Sequence, residues 1–428
     1  MRSKAKTVRM IGCMAAPLAA VVAATLAAVP AIQAATYTSV SAGGDWQTNS
    51  TWGASSTSYP GGTAGDIANI SSGSPVTLSG TVANDLGNVN IAAGGTLELN
   101  SGASIPGQTT NAGFNVGNSG TGTGTLDVAG GSGSYVYNLS VGGNASEGGY
   151  VNQTGGTLTV VSGAALRGNN GTYLISGGTL DLPGYYDGAT GVSGETFTLD
   201  VAGGKVNSSH YSYVSDGAAN GAITVNSGTF NNTAGFHVAH STGTGTVSLN
   251  GGTFETNQGI VGSDSTGSSY INFNGGTLQA TANITGGTSS LLSNFTAANV
   301  QNGGAVFDTN GNTVTVSQNL ISDPTSPSVT DGGLTLNDSS TGPKGELILS
   351  GTGNTYNGNT TVNAGTLQID SAFLASTSTV SIASGALMDL SYSGTDTVNA
   401  LYLNGVAQAN GVYGASSLGS TTLAVTAP

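Results

Sequence analysis

The sequence predicts an all-β chain wound as a solenoid, a β-helix of stacked strands with a period of about 24 residues per turn. Three observations predict it. In residues 241–280, Val247 and Leu249 alternate with polar neighbours before Gly251-Gly252-Thr253-Phe254, and Ile271 and Phe273 do the same before Gly275-Gly276-Thr277-Leu278, one period further on. Alternation with period two gives a strand one buried face, and the Gly pair supplies backbone angles closed to other residues. The unit recurs upstream: the first residue of each turn pair falls at Gly130, Gly155, Gly177, Gly203, Ser227, Gly251 and Gly275, with spacings of 25, 22, 26, 24, 24 and 24. A strand and corner that cannot bury an apolar face alone must stack on copies of itself.

Taken in order, residues 1–34 read as a secretory signal peptide. Arg2, Lys4, Lys6 and Arg9 charge its start, residues 15–29 are apolar and Ala-rich, and Ile32-Gln33-Ala34 offers a small-residue cleavage site, with the cut after Ala34 or Ala35. The apolar run is shorter than the roughly 20 residues a span needs, and no other run of that length follows, so no direct membrane span is expected after cleavage. Cys13, the only cysteine, precedes the apolar run, so the mature chain must hold its fold without disulfides. Beyond the signal, Arg167, Lys205 and Lys344 stand against all 21 acidic residues, a net charge of −18 (3 − 21). Such a surface repels phosphate backbones and anionic lipids, which excludes nucleic acid as a partner class.

Residues 35–105 repeat weakly and read as an N-terminal capping region. Trp46 and Trp52, the two tryptophans, lie here. A solenoid end exposes an open core, which two indoles suit as a plug; stacking on a sugar ring is the alternative. Residues 106–321 form the repeat solenoid proper. Two and four positions before its turns stand Val128 and Leu126, Ile175 and Tyr173, Val201 and Leu199, Val225 and Ile223, Leu249 and Val247, Phe273 and Ile271. Three positions after come Leu158, Leu180, Val206, Phe230, Phe254 and Leu278, so each corner sends side chains inward on both sides. Gln153 breaks the rule at an inward position, and is expected to face a polar pocket or a stacked residue of its own kind. Residues 322–344, with Pro324, Pro327 and Pro343, read as a loop or joint. Residues 345–428 read as one further repeat followed by C-terminal turns and a cap.

One turn with about five inward aliphatics, each stabilising by about 1.5 to 3 kcal/mol, does not offset its own ordering entropy. Stacking gives every turn two neighbours and pairs its backbone groups above and below. Residues 35–428 divided by the period predict about 16 turns, on the order of 75 Å at about 4.8 Å per turn.

Residues 345–369 resemble the autotransporter-associated β-strand repeat, G-x-L-x-L-[ST]-G-x-N-x-Y-x-G-x-T-x-[VI]-x-x-G-T-L. They carry Leu347, Leu349, Ser350, Gly351, Asn354, Tyr356, Gly358, Thr360, Val362, Gly365, Thr366 and Leu367, with one extra residue between Gly351 and Asn354. Residues 114–131 and 236–254 look like the repeat shared by type V secretion passengers and PEP-CTERM exported proteins, and residues 139–158 and 260–278 are looser copies. The resemblance implies a right-handed parallel β-helix, exported by a Gram-negative-type cell to its surface or medium. It departs from both families in its ending: no membrane barrel is expected in residues 371–428, and no basic cluster follows Lys344.

Few residues are able to carry chemistry. Polysaccharide lyases of this shape set a Lys or Arg base beside metal-binding acids, yet none of Arg167, Lys205 and Lys344 lies in a local acidic cluster. Asp181 with Asp187, or Asp200 with Asp216, are the pairs that could converge across turns as acid and base; their even dispersion favours solvated carboxylates. His237 and His240 replace Asn115 and Asn118 of the matching repeat and read as outward polar residues, while His210 and His237 on neighbouring turns are the one arrangement open to a metal. Tyr135 with Tyr137, Tyr185 with Tyr186, and Tyr211 with Tyr213 remain as glycan-stacking candidates or as stiffening ladders.

The expectation is a non-enzymatic exported repeat protein, a surface or extracellular structural element or adhesin-like passenger, without catalytic, cofactor or metal residues. A polysaccharide lyase or glycosidase, or a non-catalytic glycan-binding module, is the alternative on the same scaffold. Cell-surface or extracellular polysaccharide and other surface proteins are the partner classes that fit.

Overall fold

The runs of alternating residues are strands in the computed structural model, which describes residues 33–53, 56–131, 134–285, 290–323, 330–413 and 421–425. Residues 1–32 of the expected signal peptide, with Cys13, lie outside them, as do Pro324, Pro327 and the closing Thr-Ala-Pro. Residues 34–428 form one unit. It is a parallel β-solenoid of about 14 turns, about 24 residues apart. The only helix among the described residues is the short 3-10 turn Asn49–Trp52.

Between residues 113 and 337 each turn contributes to three faces. The first face is a parallel sheet of 15 strands, from Thr36–Thr38 to Leu387–Leu390. Second-face strands such as Gly122–Val128, Glu147–Gln153 and Thr244–Leu249 lead through a corner into third-face strands such as Ser134–Val136, Thr157–Val160 and Thr253–Thr256, and both belong to a 23-stranded sheet. In Thr196–Ser208 and Asn220–Asn232 the strand runs unbroken through that corner for 13 residues.

Register turns the sequence pattern into columns. Leu126, Val151, Tyr173, Leu199, Ile223, Val247 and Ile271 pair one above another, as do Leu158, Leu180, Val206, Phe230, Phe254 and Leu278. All are buried, as the alternation requires. Phe230 stacks on Phe254 at 4.9 Å and 22°, and Phe236 meets Phe254 edge-on at 5.1 Å. At the corner the glycine requirement is steric as well as torsional. Gly228 has φ +75°, and a Cβ there would sit 2.2 Å from the carbonyl oxygen of Gly204 in the turn below. Outward, polar ladders run from turn to turn: Asn69–Asn90–Asn115 on the first face, and Asp200–Asn226–Asn250 toward the second corner.

Four expectations change. The turns number about 14 rather than 16. First-face steps are uneven, short between Leu166 and Tyr186 and much longer between Val314 and Leu347, and Gly394–Val398, Gly411–Tyr413 and Thr421–Val425 leave the coil to form a small separate sheet. Regular coil extends into residues 67–105, where the step from Ala68 to Val89 is shorter than the period while the alternation persists. Residues 322–344 are not loop throughout. They contain the strand Leu334–Asn337, whose Leu334 and Leu336 point into the core between Ala305–Asp308 and Thr360–Val362. Gln153 faces neither a polar pocket nor another glutamine. Its Oε1 accepts from the Tyr173 hydroxyl at 2.6 Å, and its Nε2 donates to the Thr179 carbonyl at 2.9 Å.

At the N-terminal end Trp46 and Trp52 are buried, edge to face at 5.0 Å and 77°. Their indole N–H groups donate to the carbonyls of Pro60 (2.9 Å) and Trp46 (2.7 Å). Neither ring presents a face to a sugar.

Candidate functional site

The first face has one outward column that departs from its polar ladder. Above Asn115 and Ser140 it reads Arg167, Asp187, Tyr213 and His237 on successive turns. At the following corner a second column reads Asp216, His240 and Asp264, since each lies one residue beyond the paired Ser215, Ala239 and Ser263. The columns converge. Arg167 Nε donates to Asp187 Oδ2 at 3.2 Å, His240 Nδ1 contacts both Asp264 oxygens at 2.9 and 3.0 Å, and His237 Nδ1 lies 3.1 Å from Asp264 Oδ2 without hydrogen-bond geometry. The Tyr213 ring covers His240 at 4.4 Å and His237 at 5.4 Å.

The electrostatics are those of partly dehydrated groups crowding one another. Burial pushes the Asp216 carboxyl up, the Asp187 and Asp264 charges add to this, and His240 and Arg167 oppose it. Tyr213 is raised by burial and then by Asp216, Asp264 and Asp187. His237 is lowered by burial, which outweighs the attraction of Asp264.

A second group lies at the preceding corner. Register places Tyr185 and Tyr211 one turn apart, both exposed, with His210 against Tyr185 at 4.0 Å and against Tyr211 at 5.9 Å. The next position is Gly235, whose missing side chain leaves room for the Tyr211 ring beside it. Tyr185, His210 and Tyr211 make a short aromatic strip along the solenoid edge.

Several sequence candidates separate. His210 and His237 do not meet, because His210 is held by tyrosines and His237 turns to Asp264. No group of three metal-binding side chains occurs among the described residues. Asp181 and Asp187 lie on different faces: Asp181 accepts from Asn207 on the third, and Asp187 pairs with Arg167 on the first. Asp200 is in the second-face ladder, away from Asp216. Tyr135 is exposed in the strand Ser134–Val136, whereas Tyr137 lies in the link to Asn138–Val141 and packs against the core. Tyr186 points into the core beside an outward Tyr185. Conversely, the grouping of Tyr213 with His237, and of Asp216, His240 and Asp264, was not anticipated. The signal for it is in the sequence, since these residues recur at the period of the repeat.

The buried acids other than Asp187 accept from backbone N–H groups. Asp331 accepts from the N–H groups of Gly333, Asn357 and Gly358. Asp396 accepts from Phe373, Leu374 and the Tyr392 hydroxyl. Asp338 accepts from Thr309, Gly311, Ser340 and Gly345. Burial opposes ionisation of Asp338, yet these hydrogen bonds outweigh it and hold its carboxyl below the ordinary range.

Fold and surface are those of a parallel β-solenoid repeat chain, a coil whose side chains mostly hold its own turns together. Residues 344–369 match the passenger-associated-transport-repeat. That repeat is built into the coil, with Leu347, Leu349, Leu367 and Ile369 buried and in register with their neighbours. No curated protein sequence matches the chain. No helix among the described residues is long and apolar enough to cross a membrane.

Proposed function

We propose that this chain is an exported, non-catalytic passenger-type solenoid that acts as a surface or extracellular structural and adhesive element. The observation that carries this reading is the passenger repeat at 344–369, continuous with a coil whose buried acids are engaged by backbone N–H groups. Carboxylates engaged in this way are not aimed at a groove, as general acid–base work requires. The acid-rich surface group around Tyr213 has His240 and Arg167 already engaged by carboxylates.

A glycan-binding role is supported by the exposed strip of Tyr185, His210 and Tyr211. Adjacent turns in a parallel coil lie about 4.8 Å apart, a spacing on the scale of sugar rings, and the strongly acidic surface favours neutral over anionic glycans. The test uses the chain from Ala35 to Pro428 on a polysaccharide panel, with and without Ca²⁺. The expected result is no reducing-sugar or unsaturated product, with retention on a neutral glycan column that weakens roughly twofold to tenfold in Tyr185→Ala or Tyr211→Ala. Turnover of any polysaccharide refutes the non-catalytic reading. Retention that ignores both substitutions removes the aromatic strip from the binding surface.

A further inference from the structure

The first turn holds a buried carboxylate in contact with a nitrogen that proteolysis can change. Asp66 precedes the first-face strand Ile67–Ile70 and is fully buried. Its Oδ2 accepts from the backbone N–H groups of Gly61 at 3.1 Å and Thr63 at 2.9 Å, and its Oδ1 accepts from the backbone N–H of Ala35 at 2.8 Å. Ala35 is itself exposed, yet its nitrogen is fixed in place. The Ala35 carbonyl accepts from Ile67 N–H at 2.8 Å, and Thr36–Thr38 pairs in register with Ile67–Asn69.

Asp66 is paired with no basic side chain among the described residues, where Arg167 is held by Asp187 and Lys344 by Asp338. A buried carboxylate is costly without a countercharge. Asp331 and Asp396 are satisfied by interior N–H groups in the same way, but neither touches a nitrogen next to a cleavage-like sequence. Ala35 follows Ile32-Gln33-Ala34 directly.

We propose that the Ala34–Ala35 peptide bond is the processing site, and that its hydrolysis sets the new α-ammonium group of Ala35 on Asp66 as an ion pair that locks the first turn. This rests on the export reading and names its processing step. A signal-type endopeptidase adds water across the C–N bond: Ala34 leaves as a carboxylate, and the Ala35 nitrogen takes up protons and becomes cationic at neutral pH. Before the cut that nitrogen offers Asp66 one neutral N–H. After it, the same atom offers a full charge and three donors, and charge-assisted bonds are roughly twice as strong as neutral ones. The geometry also chooses between the two cuts the sequence allows. Cleavage after Ala35 removes this nitrogen and leaves Asp66 Oδ1 without its donor.

The test compares purified chains beginning at Ala35 and at Gln33, each with Asp66 and with Asp66→Asn, by amide hydrogen exchange. Exchange at Gly61 and Thr63 is expected to be about tenfold slower in the Ala35 chain, and the difference is expected to vanish with Asp66→Asn. If Asp66→Asn does not fold, α-amino acetylation of the Ala35 chain replaces it and is expected to restore the faster exchange. Equal exchange in the two chains, or a difference that survives neutralisation of either partner, overturns the ion pair. Mass spectrometry of the protein recovered from its own cell is expected to show a start at Ala35. A start at Thr36 overturns the site while leaving export standing, and recovery of the uncut chain overturns both.

Discussion

The Gln153–Tyr173 pair tests the packing of the coil most directly. Both side chains are fully buried at positions that the repeat elsewhere fills with apolar side chains, and each is the other's partner through a 2.6 Å hydrogen bond. Tyr173→Phe keeps the ring and its packing but leaves Gln153 Oε1 buried without a donor. The cost is about 1–3 kcal/mol, the desolvation penalty of an unsatisfied buried polar group. Gln153→Leu strands the Tyr173 hydroxyl in the same way at a similar cost; the Thr179 and Gly156 carbonyls lose only an additional donor, and Gly156 O keeps the Thr179 N–H at 2.8 Å. With both groups replaced nothing remains unsatisfied, so both penalties vanish and the double variant is expected to be more stable than the sum of the single changes by about 2–6 kcal/mol. Urea unfolding followed by far-ultraviolet dichroism, checked by native-state hydrogen exchange in residues 147–182, measures the cycle. Burial pushes the Tyr173 phenol far above its ordinary range, so the result is expected to be unchanged between pH 6 and 9. Additive single changes, or a neutral Tyr173→Phe, would show that the two side chains do not depend on each other, and the account of the inward glutamine fails.

Two further outcomes follow from the corners and the loop clips. Gly228→Ala is expected to cost about 2 kcal/mol or more, since φ +75° alone penalises an L residue by about 1–2 kcal/mol and the added Cβ meets the Gly204 carbonyl oxygen; Gly163→Ala, at φ +81° with nothing within 4 Å, is expected to show the torsional part alone in the same thermal melts. Asp338 has a folded pKa below its unfolded value, so its contribution is present above about pH 4 and is lost as pH falls through the folded value. Asp338→Asn is expected to lower stability at pH 7 by about 1.5–3 kcal/mol and to flatten the acid limb of a plot of urea midpoint against pH; an unchanged acid limb refutes the assignment.

What the sequence alone determined is whatever repeats. Alternation named the inward residues from Leu126 to Leu278, the Gly pairs named the corners, and the stretches 114–131, 236–254 and 345–369 carried the passenger resemblance, because backbone pairing and burial act on every turn alike. Step length was less legible: a turn can be as short as the one from Leu166 to Tyr186 or as long as the one from Val314 to Leu347, provided its inward side chains regain register, so a fixed period overcounts the turns. The Leu334–Asn337 strand hid among prolines for the same reason, since so short an alternation suffices for a stacked turn.

The tertiary structure alone decided which irregular residues meet. Stacking puts Tyr213 over His237 and His240, gives Asp264 to both histidines, and ties His210 to Tyr185 instead of to His237. It sends Asp181 and Asp187, and likewise Asp200 and Asp216, to separate places, although their sequence spacing allowed pairs. Proximity across turns depends on the accumulated step lengths and on which face each residue occupies. An insertion of one residue in a strand reverses the side a residue faces, whereas an insertion in a corner changes nothing, and the composition of a segment does not distinguish the two. The contact between Ala35 and Asp66 has the same origin: an irregular first turn brings the residue that follows the signal-like sequence onto a carboxylate buried behind it.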